Sequence, residues 1–159
     1  MKKITKTLLL LIVCTSIIAL TGCTNKNIEG NLDEIISKIY TEIPADEMPM
    51  LDNIDVLEMA PDNIEYYIGT TDIEYEEILA SEPMMSSIAY SVVLVRMKDG
   101  ADIEEAKTKI KDNVDPRKWL CVEVPKEDII VKNKGDLIIL IMVEDETTRE
   151  KIEEGFDNL

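Results

Sequence analysis

The chain has 159 residues, of which 45% are hydrophobic, and carries 33 Asp and Glu against 17 Lys and Arg, a net charge of −16. This acidic balance excludes nucleic acid as a natural partner, because phosphate binding requires clustered Lys and Arg. The sequence contains no histidine, which excludes Ser-His and Cys-His nucleophile pairs and His-ligated metal centres. The length suits one domain around one hydrophobic core.

The first 22 residues have the layout of an export signal. A short basic stretch with Lys2, Lys3 and Lys6 precedes the uncharged run 8–20. This run is too short for a membrane-spanning helix, which needs about 20 apolar residues. Its length and flanks instead fit the apolar region of a signal peptide. We therefore expect residues 1–22 to be removed.

The apolar run ends at residues 20–23, which read Leu-Thr-Gly-Cys. This stretch resembles the lipobox of bacterial lipoproteins. The resemblance implies that the Cys23 thiol receives a diacylglyceryl group, that palmitate-type lipid anchors the protein, and that Cys23 becomes the mature N-terminus. Two acyl chains hold a protein at a membrane far more firmly than one. The expected location is the extracytoplasmic face of the cell membrane, with residues 23–30 as a tether and residues 31–159 as a single α+β domain.

Removal of residues 1–22 leaves 14 Lys and Arg against 33 Asp and Glu, a net charge of −19. That charge argues against close contact with an anionic lipid surface, so lipid on Cys23 is the expected link to the membrane. Cys121 is then the one remaining internal thiol, which excludes an internal disulfide. We expect Cys121 to behave as a small buried hydrophobe, with a reactive or intermolecular thiol as the alternative.

The mature chain begins with a helical pattern. Apolar residues recur at helical spacing from Leu32 to Ile43, Asn31 is a suitable N-cap, and Pro44 ends the pattern. Residues 45–61 contain two prolines and scattered acids and predict an irregular crossing.

The next two segments are short. Ile64–Ile68 predicts a strand that Gly69 ends. Residues 72–81 fit both a strand and a short acidic helix, and we favour the helix because Pro83 lies just beyond. Residues 88–97 give the strongest strand pattern in the chain and are apolar on both faces, which is typical of a central strand.

The second half of the chain alternates helices and strands. Asp102 is placed to cap a helix that runs to Asp115. Residues 119–124 fit an edge strand or an extended loop. Residues 128–131 and 137–143 predict a hairpin, closed by a three-residue loop with glycine in the left-handed conformation. Asp145 caps a last helix. Its expected buried residues are Ile152, Phe156 and Leu159.

This order of helices and strands predicts an α+β domain. We expect a four- to five-stranded, mainly antiparallel sheet with helices packed on it. A ferredoxin-like arrangement is the expected topology.

Three kinds of residue offer candidate chemistry, and each has a simpler structural interpretation. Adjacent carboxylates suit a glycosidase-like acid and base, but in so acidic a chain they are expected on helix faces. Methionine pairs suit Cu(I), but methionine usually fills gaps in a core. Tyrosines could stack a sugar or peptide, but near strands they are usually half-buried. The candidates are Glu76-Glu77, Glu104-Glu105 and Glu153-Glu154; Met48, Met50, Met84 and Met85; and Tyr66, Tyr67, Tyr75 and Tyr90.

Four stretches after residue 63 prompt a second resemblance: EPMM at 82–85, AYSVVLVR at 89–96, PRKWLCV at 116–122 and KGD at 134–136. With them the chain is similar to a family of uncharacterised lipoproteins of low-GC Gram-positive bacteria that carry a domain of unknown function. The resemblance implies a lipid-anchored extracytoplasmic domain and no particular activity. The typical domain of this kind has a Glu in the strand where this chain has the hydroxyls of Tyr90-Ser91.

The sequence therefore favours a non-catalytic, lipid-anchored binding or interaction module. An envelope protein is the expected partner, and any sheet face left uncovered by helices would be the surface for it. The alternative is a small-ligand or cation receptor accessory to a transporter or sensor, and a carboxylate-dependent enzyme is third. Cys23 is the one site residue assigned, and we expect no catalytic residue, metal site or cofactor.

Overall fold

The computed structural model describes residues 27–41, 43, 54–58, 64–83 and 87–159, and for residues 54–58 it describes the backbone only. The signal segment, Cys23, residues 45–53 and 59–61 of the predicted crossing and all four candidate methionines lie outside these residues. The elements are α1 Leu32–Thr41, β1 Ile54–Glu58, α2 Ile64–Ile68, β2 Tyr75–Pro83, β3 Tyr90–Met97, α3 Ile103–Asn113, β4 Ile130–Lys134, β5 Leu137–Val143 and α4 Glu146–Asp157. None of the helices in these ranges has the length and apolar character needed to cross a membrane.

The five strands form one sheet in the order β1-β2-β3-β5-β4. Every neighbouring pair is antiparallel, which confirms the predicted α+β class and antiparallel sheet. Both strands predicted to be central, β3 and β5, lie inside the sheet. From β3 to α4 the order of the strands is that of a ferredoxin-like arrangement, with β5 inserted between β3 and β4. The helices depart from that expected topology, because α3 and α4 pack on opposite faces of the sheet and not on one. The outer side of β3 is taken by β2, which precedes it in the chain.

Helices cover both faces of the sheet. On one face α1 and α4 pack against alternate residues of β3, including Tyr90 and Leu94. On the other face α2, α3 and the segment after α3 pack against the intervening residues, including Val93 and Val95. Strand residues alternate between faces, so a central strand with helices on both sides is expected to be largely apolar on both of its faces. Within the described ranges no central strand offers the open apolar face that was expected for a partner surface.

Side-chain caps begin three of the helices as the sequence predicts. The Glu34 amide donates to Asn31 Oδ1 at 2.8 Å at the start of α1. The Glu105 amide donates to Asp102 Oδ1 at 3.0 Å at the start of α3, although α3 ends at Asn113 rather than Asp115. At the start of α4 the Thr148 amide donates to Asp145 Oδ1 at 2.8 Å. Each cap satisfies an amide that has no partner within its helix.

Three element types were predicted wrongly. Residues 54–58, predicted as part of an irregular crossing, form the strand β1, because they pair along their whole length with β2. Ile64–Ile68 is the short helix α2 and not a strand, because Ile64 and Ile68 are four residues apart and both enter the core from one helical face. Gly69, with φ +76°, follows it and lies so close to α3 that a Cβ would be 2.3 Å from the backbone of Asn113. Residues 75–83 form the strand β2 and not a helix, because strands pair with them on both sides.

Two smaller predictions also need correction. Lys134 pairs with Leu137, so the hairpin loop has the two residues Gly135 and Asp136 rather than three, with φ +57° at Gly135. Cys121 is exposed and has a positive φ of 65°, so it is not a buried hydrophobe. It lies in a loop, since no strand forms over residues 119–124.

Candidate functional site

Three polar side chains from separate elements meet at one end of the sheet. Glu82 on β2 lies opposite Ser91 on β3, and the Ser91 hydroxyl donates to Glu82 Oε1 at 2.5 Å. The Lys118 ammonium, from the loop after α3, donates to the same oxygen at 2.5 Å and to Ser91 Oγ at 3.0 Å. We call these three residues the lysine cluster.

The lysine cluster is closed to solvent. The Lys118 side chain is 2% exposed, the Glu82 side chain is 11% exposed, and Ser91 is fully buried. Burial lowers the pKa of Lys118, while the charge of Glu82 and its hydrogen bond oppose that shift. Neither charge is hydrated at this buried position, so the ammonium of Lys118 and the carboxylate of Glu82 depend on each other for stabilisation.

Aromatic rings complete the surroundings of Lys118. Its Nζ lies 4.9 Å from the ring centre of Tyr66, 5.2 Å from that of Tyr67 and 5.3 Å from that of Trp119. The two tyrosine rings meet edge to face, with their centres 5.0 Å apart. Cation–π attraction to three rings adds to the pairing with Glu82. Partial burial, and next the charge of Glu82, raise the pKa of both tyrosines.

A serine beside a lysine raises the question of nucleophilic catalysis. Such a pair requires a neutral lysine that accepts the hydroxyl proton and a serine that substrate can reach. Here Lys118 donates a hydrogen bond to the Ser91 oxygen, and the Ser91 hydroxyl donates a hydrogen bond to Glu82. Ser91 is fully buried. In this arrangement the lysine cluster fastens the loop after α3 to the sheet.

The candidate tyrosines do not form one site. Tyr66 and Tyr67 border the lysine cluster, whereas Tyr90 points to the opposite sheet face. There its hydroxyl donates to the Tyr40 hydroxyl at 3.0 Å, and Tyr40 donates to Ser81 at 2.9 Å. Burial raises the pKa of Tyr40 to about 12. Tyr75 begins β2 at the other end of the sheet.

The candidate carboxylate pairs are engaged in ion pairs with nearby cations. Glu104 lies 2.6 Å from the Lys107 ammonium and Glu105 lies 2.9 Å from that of Lys109, both along α3. Glu153 lies 3.0 Å from the Lys132 ammonium. These contacts agree with the interpretation of acids on solvated helix faces for the two helical pairs. That interpretation is wrong for Glu76-Glu77, because both residues lie on the strand β2. In the described part of the chain no three acidic or cysteine residues are grouped to hold a metal ion.

The opposite end of β3 holds the chain that leads to the N-terminus. The Arg96 guanidinium donates to the carbonyls of Ile28 and Gly30, each at 2.8 Å. It also lies 3.6 Å from Asp136 and 3.9 Å from Glu77. We call this end of the sheet the tether end. It is separated from Ser91 by about 17 Å along β3 at about 3.4 Å per residue.

Two large apolar side chains are exposed beside the lysine cluster, far from the tether end. Tyr66 is 47% exposed and Leu120 is 66% exposed. Tyr66 covers Lys118 on its inner side, and Leu120 follows the buried Trp119. The loop after α3 therefore buries its lysine and tryptophan and presents leucine and the Cys121 thiol to solvent.

The fold and the lysine cluster define an α+β domain with an antiparallel sheet between two helical layers. Comparison of the chain with protein-family models, curated proteins and solved structures found no match.

Proposed function

We propose that the protein is a lipid-anchored, extracytoplasmic binding or interaction module without catalytic activity, attached to the cell membrane through Cys23. The observation that carries this proposal is the position of the tether. Arg96 fixes Ile28 and Gly30 at one end of the sheet, so the chain toward Cys23 leaves the domain from that end. The sheet edges and the far end are then free to meet a partner.

The length of the tether supports this orientation. Five peptide units join Cys23 to Ile28, and an extended chain spans at most about 3.6 Å per residue, or about 18 Å in all. A lipid on Cys23 would hold the tether end close to the bilayer. Lipid is needed for this, because the strongly acidic chain is repelled by anionic headgroups.

The closed lysine cluster supports a non-catalytic role. It contains the residue types of a nucleophilic site, yet Ser91 is fully buried and Lys118 is a hydrogen-bond donor in both of its contacts. Its physical effect is to fix the loop that exposes Leu120.

Metabolic labelling tests the anchor. In cells given radiolabelled palmitate, we expect the wild-type protein to carry label and to sediment with membranes, and Cys23→Ala to lose both properties. Cys121→Ala is the matched control, because Cys121 is the exposed thiol of the folded domain. The anchor is refuted if the wild-type protein stays unlabelled, or if Cys23→Ala is labelled equally.

Fluorescence quenching by headgroup-labelled lipid tests the orientation. A dye on Cys121 should be quenched weakly, because Cys121 lies near the lysine cluster. A dye at the tether end, on Asp99→Cys in a Cys121→Ser background, should be quenched strongly. Equal quenching at both positions would contradict the proposed orientation.

A further inference from the structure

The strand β4 forms an outer edge of the sheet. It pairs with β5 on one side, and no other strand in the described ranges pairs with its second side. An unpaired edge presents a row of amide and carbonyl groups that another strand can bind. The neighbouring contacts decide which groups these are.

The direction of each backbone group in β4 follows from the hydrogen bonds of its neighbours. The Met97 amide donates to the Asp136 carbonyl at 2.9 Å, so Asp136 directs its carbonyl toward β3 and the next residue, Leu137, faces β4. Backbone groups alternate in direction along an antiparallel strand. Because Leu137 pairs with Lys134, the backbone groups of Val131 and Asn133 point outward, away from β5.

A groove of about 490 Å³ lies along this edge. Its lining includes Glu104, Lys107 and Lys111 of α3, Glu153 of α4, and Val131 and Lys132 of β4. The helices α3 and α4 pack on opposite faces of the sheet. A groove lined by both must therefore open at the edge itself, in the place where a sixth strand would pair.

Three lysines and two glutamates line the groove, which gives it a small positive charge in a strongly acidic protein. Lys107 donates to the Asn133 side chain at 2.8 Å and lies 2.6 Å from Glu104, and Lys132 lies 3.0 Å from Glu153. Lys111 donates instead to the carbonyl of Ile129. Partial burial lowers the pKa of Lys111. These ammonium groups lie beside the outward backbone groups, where side chains of an added strand would project.

We propose that the β4 groove binds an extended, acidic segment of another protein, which adds to the sheet as a sixth strand. Backbone pairing with Val131 and Asn133 would supply the hydrogen bonds, and carboxylates at alternate positions would meet Lys107 and Lys111. A second copy of this chain fits poorly, because pairing two β4 edges would bring like-charged lysines together. This proposal rests on the proposed function, which places the domain in the cell envelope and makes another envelope protein the expected partner.

The lysines also have a rival explanation. Natural proteins place lysine on exposed edge strands to prevent unwanted pairing. A purely protective edge would reject every strand, whereas a binding edge would select acidic ones. Peptide binding separates these two explanations.

The test uses the full chain in detergent micelles and fluorescent peptides of about seven residues, a typical strand length. One peptide alternates Glu with Val and Thr, and its partner has Lys in place of Glu. We expect saturable binding of the Glu peptide by fluorescence anisotropy, weakened by salt. The Lys peptide should bind at least about tenfold more weakly, since it would meet like charge.

Variants locate the binding on β4. Val131→Pro removes an outward amide without removing a bond to β5, because proline is tolerated on an edge where its nitrogen faces away from the sheet. We expect it to weaken binding at least about tenfold. The double variant Lys107→Gln, Lys111→Gln should weaken binding several-fold and flatten its salt dependence. Lys109→Gln on the same helix is the control, because Lys109 pairs with Asp72 and Glu105 outside the groove.

Several results would overturn the inference. They are the absence of saturable Glu-peptide binding, equal binding of the Lys peptide, unchanged binding by both the Val131→Pro and the double-lysine variant, and self-association of the chain that Val131→Pro abolishes. Thermal melts check that each variant folds. If Val131→Pro does not fold, the peptide binding of the Lys107→Gln, Lys111→Gln variant tests the proposal in its place. The peptide assay is independent of lipid labelling, so failure of the groove and failure of the anchor are separate results.

Discussion

Removal of the Glu82 charge tests the role of the lysine cluster. In Glu82→Gln the amide keeps an oxygen that can accept from Ser91, but Lys118 becomes a buried charge without its carboxylate. Breaking one side of a buried ion pair costs about 3–5 kcal/mol. This is a large share of the total stability of a small domain, about 5–15 kcal/mol. The cation–π contacts of Lys118 remain, so we expect the lower part of that range.

Urea unfolding followed by tryptophan fluorescence measures this loss. The single tryptophan, Trp119, has its ring centre 5.3 Å from Lys118 Nζ and reports on the cluster itself. A loss of about 3 kcal/mol with a slope of about 2 kcal/mol/M moves the urea midpoint down by about 1.5 M. The control is Glu123→Gln, an exposed carboxylate 3.8 Å from Arg117, which should cost less than about 0.5 kcal/mol.

A second substitution and a pH series sharpen the test. Adding Lys118→Met to Glu82→Gln removes the unpaired charge, and replacement of a buried ion pair by apolar groups is often neutral. We therefore expect the double variant to recover most of the loss. The folded-state pKa of Lys118 is lowered by burial, and without Glu82 it falls further. Between the two pKa values Lys118 is protonated in the unfolded state and neutral in the folded state, so the folded state gains stability as pH rises. The loss in free energy of unfolding caused by Glu82→Gln should therefore shrink as pH rises toward the pKa of Lys118 in the unfolded state, about 10.4.

The reasoning is refuted if Glu82→Gln costs no more than Glu123→Gln, or if the double variant is no more stable than the single one. Either result would mean that Lys118 reaches water or another partner when Glu82 is neutral. The lysine cluster would then not be what holds the loop after α3 on the sheet.

Three further predictions follow from the packing, a helix cap and the tether. Gly155→Ala should lower the free energy of unfolding by about 1–3 kcal/mol, because its Cβ would lie 2.5 Å from the Ile39 carbonyl oxygen; thermal melts against wild type measure this. Asp145→Ala should cost about 1 kcal/mol at neutral pH. Hydrogen bonds from Thr148 lower the pKa of Asp145, so its contribution is present above the unfolded value of about 3.9 and disappears as pH falls through the folded value; melts from pH 7 to pH 2 should show the two proteins converging. Arg96→Met should speed amide hydrogen exchange over residues 28–31, because it removes both bonds to the tether; unchanged exchange would show that α1 alone holds this segment.

The elements predicted correctly are those whose signals are local. Asn31, Asp102 and Asp145 each accept a hydrogen bond from an amide three residues later, so a short window of sequence contains the whole cap. The strand β5 is apolar at every position and β3 at all but Ser91 and Arg96, which indicates burial on both faces. The predicted hairpin formed as well, with a shorter loop.

The elements predicted wrongly depend on distant contacts. Over five residues, Ile64–Ile68 suits a strand and a helix equally, and the burial of Ile64 and Ile68 in the core beside α3 decides for the helix. The strand β2 is fixed by β1 and β3, whose pairing is not visible within residues 72–81. The lysine cluster was missed for the same reason, because Lys118 is 36 residues from Glu82 and 27 from Ser91. Its one local signal is a lysine beside the single tryptophan.

The sheet also has a consequence for how the chain folds. The pairs β2–β3 and β4–β5 are each formed by consecutive strands, whereas the seam β3–β5 joins distant parts of the chain, such as Val93 and Leu140. Closing a long loop carries more entropic cost than closing a short one, so local contacts tend to form first. The two hairpins can therefore fold independently before they pair with each other. Until β3 and β5 pair, each hairpin exposes apolar strand residues and is prone to aggregation.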